Sequence, residues 1–185
     1  RPSVIATGVQ FRKLAVPKLE QFEGVGVYYA ATRMEAQLCS GSEVIVVGGG
    51  NSAGQAAVFL SSIARHVHIV VRSDGLSDSM SRYLIQRIEQ TENITLRSFT
   101  QVQALEGTGG LERVQVRNSR SGESVWLPVR HLFSMTGAAP NTKWLEGCVA
   151  LDDRGFVKTG QDLEPRNLEN WPAARQPYML ETSIP

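Results

Sequence analysis

The sequence predicts an α/β domain built on a parallel β-sheet, with an antiparallel β-meander as one of its crossovers. Residues 43–71 have the pattern of a strand, an alanine-rich helix and a second strand. That order is typical of a parallel βαβ unit. Residues 100–128 instead alternate apolar and polar side chains in three runs separated by glycine-containing turns. Such runs favour antiparallel pairing.

The first strand of the βαβ unit leads directly into a glycine-rich turn. Residues 44–53 read VIVVGGGNSA. Gly48 permits a tight turn, Gly50 has no Cβ and lets a phosphate approach the backbone, and Ala53 allows close helix–strand packing. The free N–H groups at the start of the following helix bind a pyrophosphate. The pattern G-x-G-x-x-A between strand and helix predicts a three-layer, dinucleotide-binding (Rossmann-like) domain.

The turn also contains Gly49, and the helix begins with two polar residues, Asn51 and Ser52. Their side chains are of the type that caps a helix N-terminus. Capping and phosphate contact are compatible, and we expect both.

The end of the second strand indicates which dinucleotide is bound. NAD-binding domains present an acidic side chain to the ribose 2′-hydroxyl about 20 residues beyond the glycines. Here Val71 and Arg72 stand at this place, and Asp74 lies in a Ser-Asp-Gly sequence typical of a turn. A guanidinium donates charge-assisted hydrogen bonds to a phosphate. The sequence therefore favours NADPH, with NADH as the alternative. In that alternative, Arg72 is a solvated side chain at the end of a strand and binds no phosphate.

Composition excludes several classes of partner. The net charge is +1 over 185 residues, which predicts no long-range electrostatic field that would attract nucleic acid. No apolar stretch is long enough to span a membrane. Cys39 and Cys148 form no C-x-x-C, which is compatible with a reducing cytoplasm. We expect packing or surface roles rather than catalysis or metal binding for the histidines, His66, His68 and His131. For the tryptophans, Trp126, Trp144 and Trp171, we expect core or edge packing rather than a stacking platform for nicotinamide or nucleic acid.

The remaining elements follow from periodicity and from turn residues. The predicted elements are a strand at residues 3–7, a helix at 30–38, a helix to about residue 92, a strand at 94–97, strands at 100–106, 111–118 and 123–128, a strand at 132–135, a loop at 136–141, and short strands and loops at 147–185. The second long helix is predicted to begin at a cap provided by Ser77 or Asp78. Its inner face is predicted to carry Met80, Tyr83, Leu84 and Ile88. We expect one domain over residues 1–185, with a core at about 25–147 and linking segments at 1–24 and 148–185.

The chain resembles the NADPH-binding domain of the thioredoxin-reductase branch of the flavin-dependent pyridine nucleotide–disulfide oxidoreductases. The matching runs are VIATG at 4–8, GVYYAAT at 26–32, VVGGGNSA at 46–53, VHIVVRSDG at 67–75 and MTGAAPNT at 135–142. They occur in the order of the family and cover nearly the whole chain. The resemblance extends to a bacterial subgroup in which the reductase is fused to a cyclic-nucleotide-binding domain.

The resemblance implies roles for individual residues. The residues implied to contact the pyrophosphate are Gly48, Gly50, Asn51, Ser52 and Ala53. Arg72 and Ser73 occupy the place where the family binds the 2′-phosphate, and Met135, Thr136 and Gly137 lie where backbone contacts the nicotinamide half. Ser73 and Ser77 replace expected arginines, and Arg82 is a candidate substitute.

Two departures concern the chemistry. The redox C-x-x-C of thioredoxin reductases would fall at Ala30 and Arg33, neither of which forms a thiolate or a disulfide. The family's FAD fingerprint is expected before Arg1 and its Gly-Asp flavin motif after Pro185, so we expect FAD in the full-length protein and neither FAD nor activity in this fragment. The resemblance implies as partners the protein's own FAD-binding domain, a second subunit in a homodimer and a cyclic-nucleotide-binding domain.

Three functions are compatible with these observations. The first is hydride delivery from NADPH to FAD for an acceptor other than a dithiol. The second is an NAD(P)H-sensing or regulatory module without turnover. The third is a reductase of the ferredoxin or quinone type, which also lacks the disulfide.

Overall fold

The computed structural model describes residues 3–169, 171 and 175–184. In chain order its strands are β1 Val9–Phe11, β2 Val27–Tyr28, β3 Glu43–Val47, β4 His66–Val70, β5 Ile94–Arg97, β6 Thr100–Glu106, β7 Arg113–Asn118, β8 Ser124–Leu127, β9 His131–Ser134 and β10 Ala138–Pro140. Its α-helices are α1 Leu19–Phe22, α2 Arg33–Leu38, α3 Asn51–Ser61 and α4 Arg82–Glu89. Short 3₁₀ turns occupy Lys143–Leu145, Gly160–Asp162 and Pro165–Asn167.

The chain forms two compact units. Residues 13–136 form one unit, called here the sheet unit, and residues 1–12 with 137–185 form the other, the terminal unit. Most of the predicted core region, 25–147, falls within the sheet unit.

A five-stranded sheet runs through the sheet unit in the order β2-β9-β3-β4-β5. Its strands pair in parallel throughout. The central strand β3 is buried from Val44 to Val47, as expected for a parallel strand covered on both faces. The α/β fold with a parallel sheet is thereby confirmed.

The two faces of the sheet pack against different layers. On one face, Val46 and Ile69 pack with Ala57 and Leu60 of α3 and Ile88 of α4. The opposite face carries Ile45, Val70 and Leu132, which share a cluster with Val114 and Val116 of β7. Burying each larger apolar side chain contributes about 1.5–3 kcal/mol. The sheet thus lies between a helical layer and a β layer.

The predicted meander forms the β layer. Strands β6, β7 and β8 pair antiparallel in sequence order. Their inward residues alternate with exposed ones, as in the buried Thr100 and Val102 on either side of the exposed Gln101. The prediction of three antiparallel strands across residues 100–128 is confirmed.

The predicted strand at residues 3–7 is wrong. The strand lies beyond Gly8, at Val9–Phe11, and pairs antiparallel with Ala138–Pro140, which were predicted to be loop. Val4 is 91% exposed, so its apolar side chain gains no packing that would fix a strand there. Gly8 has φ 68°, which breaks an extended run.

Helix α2 is shorter than the predicted helix at 30–38. It begins at Arg33 because Thr32 forms a capping box with Glu35. The Thr32 hydroxyl accepts from Met34 N at 3.3 Å, and the Glu35 carboxylate accepts from Thr32 N at 3.0 Å. This local pairing fixes the helix start.

Helix α4 also differs from its prediction. It begins at Arg82 with Ser81 as N-cap and ends at Glu89, so neither Ser77 nor Asp78 caps it. Leu84 and Ile88 are buried as predicted, whereas the inward position predicted for Tyr83 is wrong. Tyr83 lies about 100° around the helix from Leu84, on the outer face, 64% exposed and beside the guanidinium of Arg87 one turn further on.

Candidate dinucleotide-binding site

The glycine turn lies at the carboxyl ends of neighbouring parallel strands. Gly48 follows β3 with φ 141°, and its N–H donates to the Val70 carbonyl of β4 at 3.1 Å. A Cβ at Gly48 would lie 2.5 Å from the carbonyl oxygen of Met135, which follows β9. Only glycine fits this backbone, because both the φ value and the close approach exclude a side chain. In open α/β sheets, ligands bind at this edge.

The first turn of α3 is open to an anion. Gly50 is its extended N-cap, Asn51 and Ser52 are exposed, and the first turn has no acidic side chain. The nearest atom to a Cβ at Gly50 would be Ser79 O, 3.9 Å away, so no protein group crowds this position. Ala53 is fully buried against the sheet. The unpaired N–H groups and the helix dipole suit a pyrophosphate.

The side chain of Asn51 is engaged elsewhere than expected. Its Oδ1 accepts a hydrogen bond from Ser81 N at 2.8 Å. No side chain caps α3, so the expectation that Asn51 or Ser52 caps the helix is wrong. A partner 30 residues away in the sequence competes with the local cap.

The segment proposed from sequence for the 2′-phosphate follows β4. Arg72 and Ser73 are exposed, and the Ser73 hydroxyl donates to the Gly75 carbonyl at 2.8 Å. The Ser73 carbonyl in turn accepts from Phe99 N at 2.9 Å. These bonds fix the backbone beside Arg72 and leave the guanidinium at the surface.

Two further residues of this set lie on the way into α4. Ser77 is exposed and donates to the Asp78 carboxylate at 3.4 Å. Arg82 is the first residue of α4 and is also exposed. Among the described residues, neither Arg72 nor Arg82 forms a salt bridge. Both guanidinium groups are therefore available to a phosphate.

The predicted nicotinamide segment is divided between the two units. Met135 N donates to the Val47 carbonyl at 2.8 Å, which places Met135 beside the glycine turn. The Thr136 hydroxyl lies 3.3 Å from that of Ser134. Gly137 belongs to the terminal unit, where its carbonyl accepts from Arg12 N at 2.9 Å.

The sequence did not predict a role for two residues near the turn. The Ser79 hydroxyl donates to the Gly49 carbonyl at 2.9 Å, and nothing in the sequence marks this long-range contact. Gly54 lies within α3, where a Cβ would be 2.7 Å from Met80 Sδ. A glycine inside a helix lowers stability by about 0.5–1 kcal/mol relative to alanine. A glycine in the middle of a predicted helix therefore indicates a close contact that excludes a side chain.

The two positions at which the family resemblance implies redox cysteines contain no thiol. Ala30 and Arg33 are exposed. Cys39 is buried and donates to the Glu35 carbonyl at 3.1 Å, and burial, with Glu35 adding to it, raises the pKa of its thiol to about 12. Cys148 is a free, exposed thiol in the terminal unit.

A buried histidine lies within a charged cluster on the sheet. His68 Nε2 is 3.2 Å from a Glu43 carboxylate oxygen, and Arg97 Nε donates to its Nδ1 at 3.3 Å. Burial lowers the pKa of His68 despite the hydrogen bond to Glu43. His131 has its ring stacked 6.1 Å from Tyr28, and burial lowers its pKa as well. The part of the chain that the structure describes has no cluster of three His, Cys, Asp or Glu suited to a metal.

Comparison with known proteins assigns the family. The model of the pyridine nucleotide-disulphide oxidoreductases matches residues 3–169. The chain belongs to this family. No helix among the described residues has both the length and the apolar character needed to cross a membrane.

The relatives of this chain include known reductases. Thioredoxin reductase of Mycolicibacterium smegmatis is 34% identical over 163 residues, which cover 85% of this chain and 50% of that protein. NADPH-dependent thioredoxin reductase 3 of Arabidopsis thaliana is 36% identical over 157 residues, covering 83% and 29%. The crystal structure of T. acidophilum thioredoxin reductase superposes with a TM-score of 0.72 at 27% identity, covering 83% of this chain and 51% of that one. The chain thus spans about half or less of the length of these reductases.

Proposed function

We propose that this chain is the NADPH-binding part of an FAD-dependent oxidoreductase and presents NADPH for hydride transfer to the flavin. The observation that supports the proposal best is the turn at Gly48, which Met135 O approaches so closely that a Cβ is excluded. Directly after this turn, the first turn of α3 is open and has no acidic side chain. A strand end, a glycine turn and an open helix N-terminus are the elements that bind a pyrophosphate.

The chain would contribute binding and orientation. The hydride and its acceptor belong to the cofactors, since NADPH supplies the former and FAD provides the latter. The backbone of Gly49 and Gly50 and the N–H groups of Ser52 and Ala53 would bind the pyrophosphate. Met135, placed beside Gly48, would then lie along the nicotinamide half.

NADPH is proposed in preference to NADH because of the segment after β4. Arg72 is exposed and without an ion-pair partner among the described residues, and Arg82 shares both properties. Ser73 and Ser77 lie in the same segment, and their hydroxyls would add contacts to the phosphate only by exchanging their bonds to the Gly75 carbonyl and the Asp78 carboxylate. A guanidinium with two parallel N–H donors suits the 2′-phosphate that distinguishes NADPH.

The acceptor that we propose for the electrons is not a dithiol of this chain. Ala30 and Arg33 stand where the family resemblance implies cysteines, and Cys39 is buried with a raised pKa. A buried thiol with so little thiolate is a poor nucleophile for disulfide exchange. Thioredoxin reduction by the full-length protein that Cys39→Ser abolishes would contradict this proposal.

Partners and location are proposed on the same resemblance. They are the protein's own FAD-binding domain, a second copy in a homodimer and a fused cyclic-nucleotide-binding domain, in the cytoplasm. The lengths of the matched reductases, of which this chain spans half or less, support a further domain.

Isothermal titration calorimetry of the chain with NADPH and with NADH tests the function. We expect one NADPH per chain and weaker binding of NADH. For the full-length protein with FAD, NADPH oxidation with a small artificial acceptor tests turnover. Binding without any turnover would instead favour a sensing module, and absence of binding would overturn the proposal.

A further inference from the structure

Two hydrogen bonds join the glycine turn to the segment that follows β4. Asn51 Oδ1 accepts from Ser81 N at 2.8 Å, and the Ser79 hydroxyl donates to the Gly49 carbonyl at 2.9 Å. The acceptors lie on either side of Gly50, and both donor residues fall within the last three residues before α4. The segment at residues 72–81 is therefore attached to the turn at its far end.

The same segment is fixed elsewhere along its length. At its start, the Ser73 carbonyl accepts from Phe99 N at 2.9 Å. Leu76 in its middle and Met80 near its end are 4% and 5% exposed and pack in the helical face of the core. Its backbone is thus held at the start, the middle and the end.

The side chain of Asn51 is fixed by its bond to the segment. Asn51 is the first residue of α3, and its side-chain oxygen accepts from Ser81 N, whereas only the amide nitrogen could donate to a phosphate. Asn51 thereby connects the part of the site common to both nucleotides with the segment that bears Arg72.

We propose that Asn51 and Ser79 are positioning residues that fix segment 72–81 against the glycine turn and so set the selectivity for NADPH over NADH. The inference rests on the proposed function. An arginine on a fixed segment loses less conformational entropy when it binds the 2′-phosphate than one on a free loop. Loss of either hydrogen bond should therefore weaken NADPH binding more than NADH binding.

The experiment measures the ratio of the NADH and NADPH dissociation constants for the chain and its variants. Asn51→Ala and Ser79→Ala should each lower the ratio by about threefold to tenfold, the range of one hydrogen bond. Asn51→Asp keeps the acceptor for Ser81 N. Its new charge repels the pyrophosphate of both nucleotides alike, so affinity should fall while the ratio is retained. Gln55→Ala, one turn further along α3 and exposed, is the matched control and should leave both constants unchanged.

A double variant tests the route of the effect. In the Arg72→Ala background, Asn51→Ala should lower the ratio less than it does in the wild-type chain, because part of its effect acts through the Arg72 contact. Amide hydrogen exchange at Ser81 gives a readout without nucleotide, and Asn51→Ala but not Asn51→Asp should accelerate it.

The outcomes separate this inference from the proposed function. Equal weakening of both nucleotides by Asn51→Ala, or an unchanged ratio in both Asn51→Ala and Ser79→Ala, overturns the positioning role alone. A ratio that falls in Asn51→Asp as much as in Asn51→Ala also overturns it, since the amide nitrogen would then be the group that matters. Wild-type protein that binds neither nucleotide overturns the proposed function and this inference with it.

Discussion

The carbonyl oxygen of Met135 lies so close to Gly48 that a Cβ on Gly48 would be 2.5 Å from it. The contact joins the residue after β9 to the residue after β3, and it is reinforced by the bond from Met135 N to the Val47 carbonyl at 2.8 Å. Ordinary Cβ contacts begin about 1 Å further out. The glycine turn is thus a requirement of the sheet itself as well as a feature of the candidate site.

Gly48→Ala should lower the free energy of unfolding by about 2–4 kcal/mol, because strain at φ 141° and overpacking add. Urea unfolding followed by circular dichroism measures the effect. Gly75→Ala is the matched control, since no atom lies within 4 Å of its Cβ position, and its change should stay within about 0.5 kcal/mol. Equal stability of the two variants would show that the turn relaxes.

Arg72→Ala should weaken NADPH binding by about tenfold to a hundredfold, equivalent to about 1.5–3 kcal/mol, and leave NADH binding nearly unchanged. The reason is that only NADPH carries the phosphate that the guanidinium is proposed to bind. Titration calorimetry with both nucleotides provides the measurement. Arg117→Ala, exposed on the meander, should change neither affinity. Parallel losses for NADPH and NADH would make Arg72 a structural residue.

The free energy of unfolding should fall as the pH is lowered through the range in which histidines become protonated. Burial lowers the pKa of His68 and His131 below the usual 6.5, so the unfolded chain binds protons more readily than the folded one. The contribution of the two neutral rings to the free energy of unfolding is present above about pH 6.5 and is lost as the pH falls through the lowered pKa values. Urea unfolding at a series of pH values should show this slope.

The double variant His68→Gln/His131→Gln should reduce that slope. The glutamine amide at position 68 can still accept from Arg97 and donate to Glu43, which limits the loss of structure. A slope identical to that of the wild-type protein over the same range would assign the pH dependence to other groups.

The two thiols should differ sharply in reactivity. Cys148 is exposed, whereas Cys39 is buried and burial raises its pKa to about 12. Iodoacetamide at neutral pH should therefore alkylate Cys148 in the folded protein and reach Cys39 only after unfolding. Peptide mass mapping identifies the labelled site. Rapid alkylation of native Cys39 would contradict its assignment as a buried thiol of low reactivity.

Elements specified by local pattern were predictable from the sequence. The sequence marks three elements clearly: the valine-rich strand β3, the meander and the glycine turn. In each, the spacing of the apolar residues and the position of the glycines agree on the same structure. The candidate turn and the Arg72 segment could be located for the same reason.

Features that depend on distant residues were not predictable. Asn51 is a plausible helix cap by local rules, yet Ser81, 30 residues away, takes its oxygen. Tyr83 lies about 100° around α4 from Leu84, and with Leu84 and Ile88 packed inward its side chain is exposed. In both cases tertiary packing decides what the local pattern leaves open.

Calorimetric titration of the chain and its Gly50→Val variant with NADPH tests the central claim most directly. A side chain at position 50 has room beside the protein, with Ser79 O as the nearest atom at 3.9 Å, but it would stand over the open turn of α3 where the pyrophosphate is proposed to bind. We predict binding of one NADPH per wild-type chain and loss of binding in Gly50→Val, with circular dichroism unchanged. Undiminished NADPH binding by folded Gly50→Val would contradict the assignment of this turn as the nucleotide site.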